Sequence, residues 1–386
     1  RRRLIAATAL TIAVYGMEAT LLGTILPALS KTLTPSQSGT LAGVQSIGLI
    51  VASFATGPAL DRAGRKTGLV SGLALVSLAL LLLTRVTTYI PLLLVLGLLG
   101  LGGGILSTST NTMASDLGGK SQASLMNLLN CFFGLGGLLT PALGAFLTIP
   151  ALCVVIVALA AGTVLLHLSN TMPQRDISAP TDVLTVKGLL ARPVFLLLSL
   201  FLFLYVAAEL GVWNWFPTYL TGRGVARPVA LRILSFGFAA GIISGRLAAP
   251  RILLRLRPAT VILAASILML VTTFAMLQVS GTLAAGVTVF LAGLAMAPVY
   301  PTTLALVGEA FPTGTATAIG ITVTCGWIGV AFSSQLIGSL AGQDPASLGH
   351  ALLVIPAFSA LMVLVSFGIR SIEVTKKRDP GRAGSL

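Results

Sequence analysis

Charge is what this chain has least of. Only 9% of its 386 residues are charged, aromatics make up 6%, cysteine occurs three times and histidine twice. A soluble globular protein carries about 25% charged residues because its surface must be solvated. That shortfall excludes one soluble domain, and equally the two or three that the length would otherwise suggest. Cys131, Cys153 and Cys325 all lie inside apolar runs without metal-ligand spacing, so neither a disulfide framework nor a zinc site is indicated. Few aromatics and little strand alternation exclude an outer-membrane barrel. What is present in quantity is apolar: 55% hydrophobic residues and a mean hydropathy of +0.99. A bundle of membrane-spanning helices remains.

A helix crosses a bilayer core with about 20 apolar residues. The apolar runs predict twelve spans, over 4–27, 37–57, 67–85, 90–112, 121–147, 149–168, 194–219, 229–250, 258–279, 281–307, 314–340 and 347–370, numbered here span one to span twelve. The polar, proline-containing stretch 169–193 separates spans six and seven. The expected fold is all-α, with two six-helix bundles (1–168 and 194–371), a cytoplasmic linker (169–193) and a cytoplasmic tail (372–386). With the N-terminus inside, 19 Lys and Arg fall on the inner turns and 5 (Lys31, Arg85, Arg223, Arg227, Arg232) on the outer ones. Such a bias sets orientation, so both termini are expected in the cytoplasm. The inner set includes Arg1–Arg3, Arg62, Arg65, Lys66 and Arg246. Charge spread over every inner turn gives no nucleic-acid patch, despite a net +14. The chain opens on arginine, so a trimmed start is expected, and no cleavable-signal pattern is visible.

The two halves echo each other. Tyr15 and Pro27 recur as Tyr205 and Pro217, Gly100 and Asp116 as Gly293 and Glu309, Gly134 and Gly137 as Gly326 and Gly329, and Gly57 as Gly245, at offsets of 188–193. Parallel six-span repeats are the layout of transporters that bind a solute near the midplane, between the repeats. The rows Gly64/Gly68/Gly72 and Gly237/Gly241/Gly245 let helices approach closely. The GLGGG run at 100–104 lies in an apolar span with no preceding strand, so it is no dinucleotide fingerprint.

Of ten acidic residues, two lie deep in spans: Glu18, fifteen residues into span one, and Glu209, sixteen into span seven. A charge there costs about 2.5–3.5 kcal/mol or more, so such residues tend to face a wet cavity and to serve ions or solute. Both are candidate cation-coupling groups, for H⁺ in preference to Na⁺. Helical spacing groups Tyr205, Glu209, Trp213 and Phe216 on one face, with Asn214 flanking it, and Thr11, Tyr15, Glu18 and Leu22 on another. Asn127 and Asn130 (span five), Ser107 and Asn111 (span four), Gln45 (span two), Tyr300 (span ten) and Trp327 (span eleven) complete the candidate solute site. Amides and hydroxyls beside an indole can hydrogen-bond a polyol and stack on a sugar face. His167 and His350 sit near span ends without partners at motif spacing, so no enzyme chemistry, cofactor or metal is expected.

The turn Gly57–Lys66 reads GPALDRAGRK. A glycine turn carries opposite charges there, and a nearby helix N-terminus favours Asp61. It resembles the signature loop of the major facilitator superfamily, with Asp61, Arg62, Gly64, Arg65 and Lys66 at matching positions. The resemblance implies a gate in which the loop's Asp and Arg pair with an acid at the end of span four, here Asp116. The stretches MNLLNCFFGLGGLLTPALG (126–144), YVAAELGVWNWFPTYL (205–220), GIISGR (241–246) and APVYPTTLALVGE (297–309) are similar to the fucose/glucose-type porters of that superfamily. This implies cation-coupled symport of a sugar or similar polar solute by a monomer embedded in lipid, in a bacterial inner (plasma) membrane. Ser107 stands where fucose permeases carry a glutamate, and the second carboxylate is Glu209. An exporter of drugs or lipophiles is the alternative for the same fold.

Overall fold

A chain in lipid must satisfy its backbone N–H and C=O groups internally, and helices do so within one segment. The computed structural model describes residues 2–29, 35–86, 88–118, 122–144, 146–170, 186–312, 314–341 and 347–378. Twelve helices long and apolar enough to cross a membrane lie among the described residues. Spans one to six run as Arg2–Leu29, Pro35–Ala63, Arg65–Leu83, Tyr89–Gly118, Gln122–Gly144 and Ile149–Ser169. Spans seven, nine and eleven are Pro193–Gly222, Pro258–Gln278 and Thr315–Ala341.

The remaining three are interrupted. Span eight begins as a short α-turn (Arg227–Arg232), widens into a π-helix (Ile233–Ala239) and returns to α over Ala240–Leu253. Span ten breaks between Thr282–Met296 and Val299–Ala310, where Pro298 has no N–H to give the ladder. Span twelve opens with Leu348–Ala351 and continues as Val354–Arg378, so helix runs past the expected end at 370 and into the expected tail. A short helix, Val186–Leu190, lies in the expected linker, of which 171–185 falls outside the described residues. Leu94, Leu165 and Leu364 are among the exposed large apolar residues. In a twelve-span bundle they face lipid rather than water.

Glycine contacts show the repeat in three dimensions. A Cβ on Gly100 would overlap the Gln45 carbonyl of span two, and a Cβ on Gly293 would overlap the Phe238 carbonyl of span eight. Spans two and four therefore cross as spans eight and ten do. Likewise Gly136 lies on the Ala13 carbonyl of span one and Gly329 on the Phe203 carbonyl of span seven. The structural counterpart of Gly329 is thus Gly136, one residue before Gly137. Gly137 instead faces the Trp213 ring, to which a Cβ would come within 3.0 Å. The two glycine rows pack within their own halves: Gly68 and Gly72 meet Ser109 and Leu106, and Gly241 and Gly245 meet Phe290 and Leu294.

The halves touch at several levels. At the end carrying the Gly57–Lys66 turn, a Cβ on Gly57 would lie 2.8 Å from the Ala316 carbonyl, and one on Gly320 would lie 3.0 Å from that of Ser53. Spans two and eleven cross there backbone to backbone. Towards the opposite end, Ala19, Thr20, Trp213, Asn214 and Leu234 are among the residues lining a recess of about 10 Å³, room for roughly one water.

Candidate functional site

A line of polar side chains joins the halves at mid-depth. The hydroxyls of Ser107 (span four) and Tyr300 (span ten) are 3.3 Å apart, and Asn111 Nδ2 donates to the Tyr300 hydroxyl at 3.3 Å. Asn130 Nδ2 donates to Asn111 Oδ1 at 3.4 Å, which brings in span five. Asn127 Nδ2 donates to Thr302 Oγ1 at 3.0 Å, a second crossing bond. Tyr15 enters from span one, its ring 5.3 Å from that of Phe133. All of these side chains are buried. Their grouping follows from the break in span ten: Tyr300 and Thr302 sit in the first turn after it.

Beside this line stand the residues of span seven. The Tyr205 ring is 6.4 Å from that of Tyr300, and its hydroxyl donates to the Met296 carbonyl at 3.0 Å. Glu209 and Trp213 follow on the same face, both buried. Trp213 packs edge-on against Phe238 of the π-helix, at 5.1 Å between centroids. Glu209 Oε1, Trp213 Nε1 and Asn127 Oδ1 have no hydrogen-bond partner among the described residues. A buried polar atom without a partner costs about 1–3 kcal/mol, a debt that a bound hydroxyl or proton removes. Trp327 is buried on span eleven with its Nε1 also unpartnered, outside the line just described. Asn214 is half-buried and lines the small recess.

Arg246 is a buried cation that the tally of basic turns conceals. It is not at the inner surface. It is 1% exposed, donating from Nη1 to the Asn130 carbonyl at 2.6 Å and from Nε to the Ala297 carbonyl at 3.3 Å. Its guanidinium lies 5.3 Å from the centre of the Phe133 ring and acts electrostatically on Glu209. The signal was its position, four residues inside the predicted span 229–250. A basic residue there carries the same warning as an acid. The inner tally becomes 19 − 1 = 18 against 5, and the bias stands.

Glu18 belongs to a separate pair. Its Oε1 accepts from Gln45 Nε2 at 2.9 Å, and its Oε2 is unpartnered among the described residues. The carboxylate fits against bare Gly103 of span four, where a Cβ would come within 2.5 Å of Oε2. His167, expected near a span end, is fully buried, 2.7 Å from the Thr11 hydroxyl. Among the described residues no cluster of His, Cys, Asp or Glu can hold a metal.

At the Gly57–Lys66 turn, Gly64 takes φ +85°, a conformation open to glycine, and starts span three immediately. Asp116 is paired with a basic residue of the turn, Arg65: Arg65 Nε lies 2.8 Å from Asp116 Oδ2, and its Nη1 donates to the Leu60 carbonyl. Arg65 stands one residue past the turning glycine, at the mouth of span three beside span four, whereas Arg62 is exposed on the last turn of span two. Lys66 Nζ caps the end of span six on the Leu168 and Asn170 carbonyls, at 3.0 and 3.3 Å. The Asp61 side chain lies outside the described residues.

The model of the Major Facilitator Superfamily matches residues 8–334. The chain belongs to that family. It is a secondary transporter rather than an enzyme, and the superfamily implies a small-molecule solute and a membrane. Its fold is similar to the crystal structure of the superfamily transporter FucP in the outward conformation, with TM-score 0.76, 18% identity, and 95% and 98% of the two chains covered. The Escherichia coli fucose:proton symporter FucP, in a variant form, aligns with TM-score 0.76 at 17% identity over the same shares. The human organic anion transporter MFSD10 (TETRAN) aligns with TM-score 0.76 at 18% identity, again over 95% and 98%. In sequence, the chain is 27% identical over 269 residues to Bypass of stop codon protein 6 of Saccharomyces cerevisiae. That match spans 61% of this chain and about half, 54%, of the relative.

Proposed function

We infer that the chain moves a small, hydroxyl-rich solute of the sugar class together with a proton, by rocking its two halves (1–168 and 194–371) around the mid-depth polar line. The observation that carries this reading is the Ser107–Tyr300–Asn111–Asn130 line, built from both halves and lying beside a buried Glu209 whose Oε1 lacks a partner. Neutral amides and hydroxyls both donate and accept, as a sugar does, and they suit a lipophile poorly. Glu209, with Glu18 as a second carboxyl, takes up the proton, and Trp213 covers the solute from the opposite end. The crossing of spans two and eleven at Gly57 and Gly320 closes the other end, beside the Gly57–Lys66 turn, whose Arg65–Asp116 pair fastens spans three and four. Coupling requires that proton and solute prefer the same conformation. The working form in this reading is a monomer in the plasma membrane with both termini cytoplasmic, as the 18-to-5 bias supports.

The test is uptake into proteoliposomes from a panel of labelled sugars, with proton and sodium gradients imposed separately. Accumulation driven by the proton gradient is expected. Accumulation under sodium alone would replace the coupling ion, and failure of every polar solute together with movement of lipophilic dyes would replace the substrate class.

A further inference from the structure

Resting on that reading, the geometry points to a solute that is also acidic: a carboxylate on a hydroxyl-bearing chain, such as a sugar acid, with Arg246 as the group that holds its charge.

Among the described residues Arg246 is the sole lysine or arginine in the buried core. Its guanidinium donates to two main-chain carbonyls, Asn130 from span five and Ala297 from span ten. It makes no ion pair with a described carboxylate. A guanidinium has five donors and a planar fork shaped for two parallel bonds to a carboxylate. Removed from water, it is held by neutral carbonyls and has no carboxylate in ion-pair contact among the described residues, the contact that a buried cation needs. The surrounding groups select what comes with that charge. Asn130 supplies the carbonyl that Arg246 binds and, through its side chain, the first amide of the polar line to Asn111 and Tyr300. An acid group on Arg246 thus has hydroxyl-binding groups beside it. A neutral sugar would use the amides and leave the guanidinium unanswered.

The titratable groups around this point are Glu209 and Tyr205 on span seven, Tyr300 on span ten and Cys131 on span five. Glu209 is the ionisable carboxyl coupled electrostatically to Arg246, and in this proposal it carries the counter-charge when no solute is bound. A solute carboxylate takes that role over, and Glu209 then binds a proton. One acid therefore travels with one proton and no net charge moves. A neutral sugar travelling with a proton would move one positive charge. The difference is measurable without any mutation.

Proteoliposomes holding the full chain are offered labelled gluconate, glucuronate and galactonate against glucose, galactose and fucose, under a pH gradient, with and without a potassium–valinomycin potential. The expected result is accumulation of at least one acid, with a rate that changes less than about twofold when the potential is imposed, because no net charge crosses the field. Arg246→Gln should weaken binding of that acid, read by Trp213 fluorescence, by about thirtyfold or more, the loss typical of truncating a buried charge partner. Arg246→Lys, which keeps the charge and loses the fork, should fall between. Accumulation of a neutral sugar, speeded by the potential, with no acid moved, would overturn this inference and leave the sugar:proton reading intact. Failure of both acids and sugars would overturn both. Unchanged acid binding in a folded Arg246→Gln would make Arg246 a tether between spans eight and five. Where that variant fails to fold, the wild-type comparison decides alone.

Discussion

The two buried glutamates occupy the same kind of helix in the two halves, yet they are not symmetry mates. With Tyr15 and Tyr205 in register at an offset of 190, Glu18 corresponds to position 208, an alanine, and Glu209 to position 19, also an alanine. Each carboxyl has been placed one residue away from the other's equivalent, about 100° around the helix. Their surroundings differ accordingly. Glu18 has a neutral amide, Gln45, and a bare glycine, Gly103, against it. Glu209 has a cation, Arg246, an indole and two tyrosines nearby. The repeat preserved the backbone crossings and let the chemistry diverge. A carboxyl beside a cation has its charge state set by whatever else that cation binds. A carboxyl beside an amide does not.

Removing the carboxyl that faces the cation should do most. Glu209→Gln is expected to abolish uphill accumulation while sparing solute exchange across the membrane, measured as counterflow against gradient-driven uptake. Unimpaired uphill transport would sink the assignment. Glu18→Gln keeps an oxygen for Gln45 to donate to. It should slow gradient-driven uptake by about tenfold, within the range of general proton-transfer effects, while leaving it proton-driven. If instead Glu18→Gln uncouples and Glu209→Gln does not, the roles of the two halves are reversed. Gly103→Ala strikes the Glu18 site alone, pressing a methyl on the carboxylate at a cost of about 1–3 kcal/mol of overpacking. Thermal unfolding in detergent should show the loss, and uptake by the Glu18→Gln variant should be less sensitive to it than uptake by wild type. The smallest effect belongs to the exposed pair at the turn. Arg65→Ala should cost about 0.2–1 kcal/mol of stability, the ordinary worth of a surface ion pair, and the same assay with Asp116→Asn added should show little further change. A much larger loss would mean that this pair does more than fasten spans three and four.

How far the sequence carries depends on what a linear pattern can encode. Twelve apolar runs of spanning length are visible because lipid imposes them residue by residue. The repeat is visible because Gly100 and Gly293, or Tyr15 and Tyr205, must keep their spacing for the helices to cross. Helical periodicity also put Tyr205, Glu209 and Trp213 on one face, as the structure has them. It could not pair Asn111 with Tyr300 across 189 positions, because periodicity orders residues only within one helix. It hid Arg246 for a different reason: a charge counted toward topology was not also weighed for depth. Resemblance gave Asp116 a basic partner in the turn without saying which arginine, and local geometry shows it to be Arg65, on the far side of the turning glycine.

The crossing of spans two and eleven has one further consequence. Gly57 and Gly320 bring main chain against main chain, with Ser53 and Ala316 contributing carbonyls and no large side chain interposed. Most helix contacts are geared, knobs set into holes, and separating them requires side chains to change rotamer. This one has no teeth. At this point the two surfaces can part and meet again without a side chain having to turn, so the rocking proposed for the two halves would meet little friction there. A side chain added at 57 or 320 would act there as a doorstop.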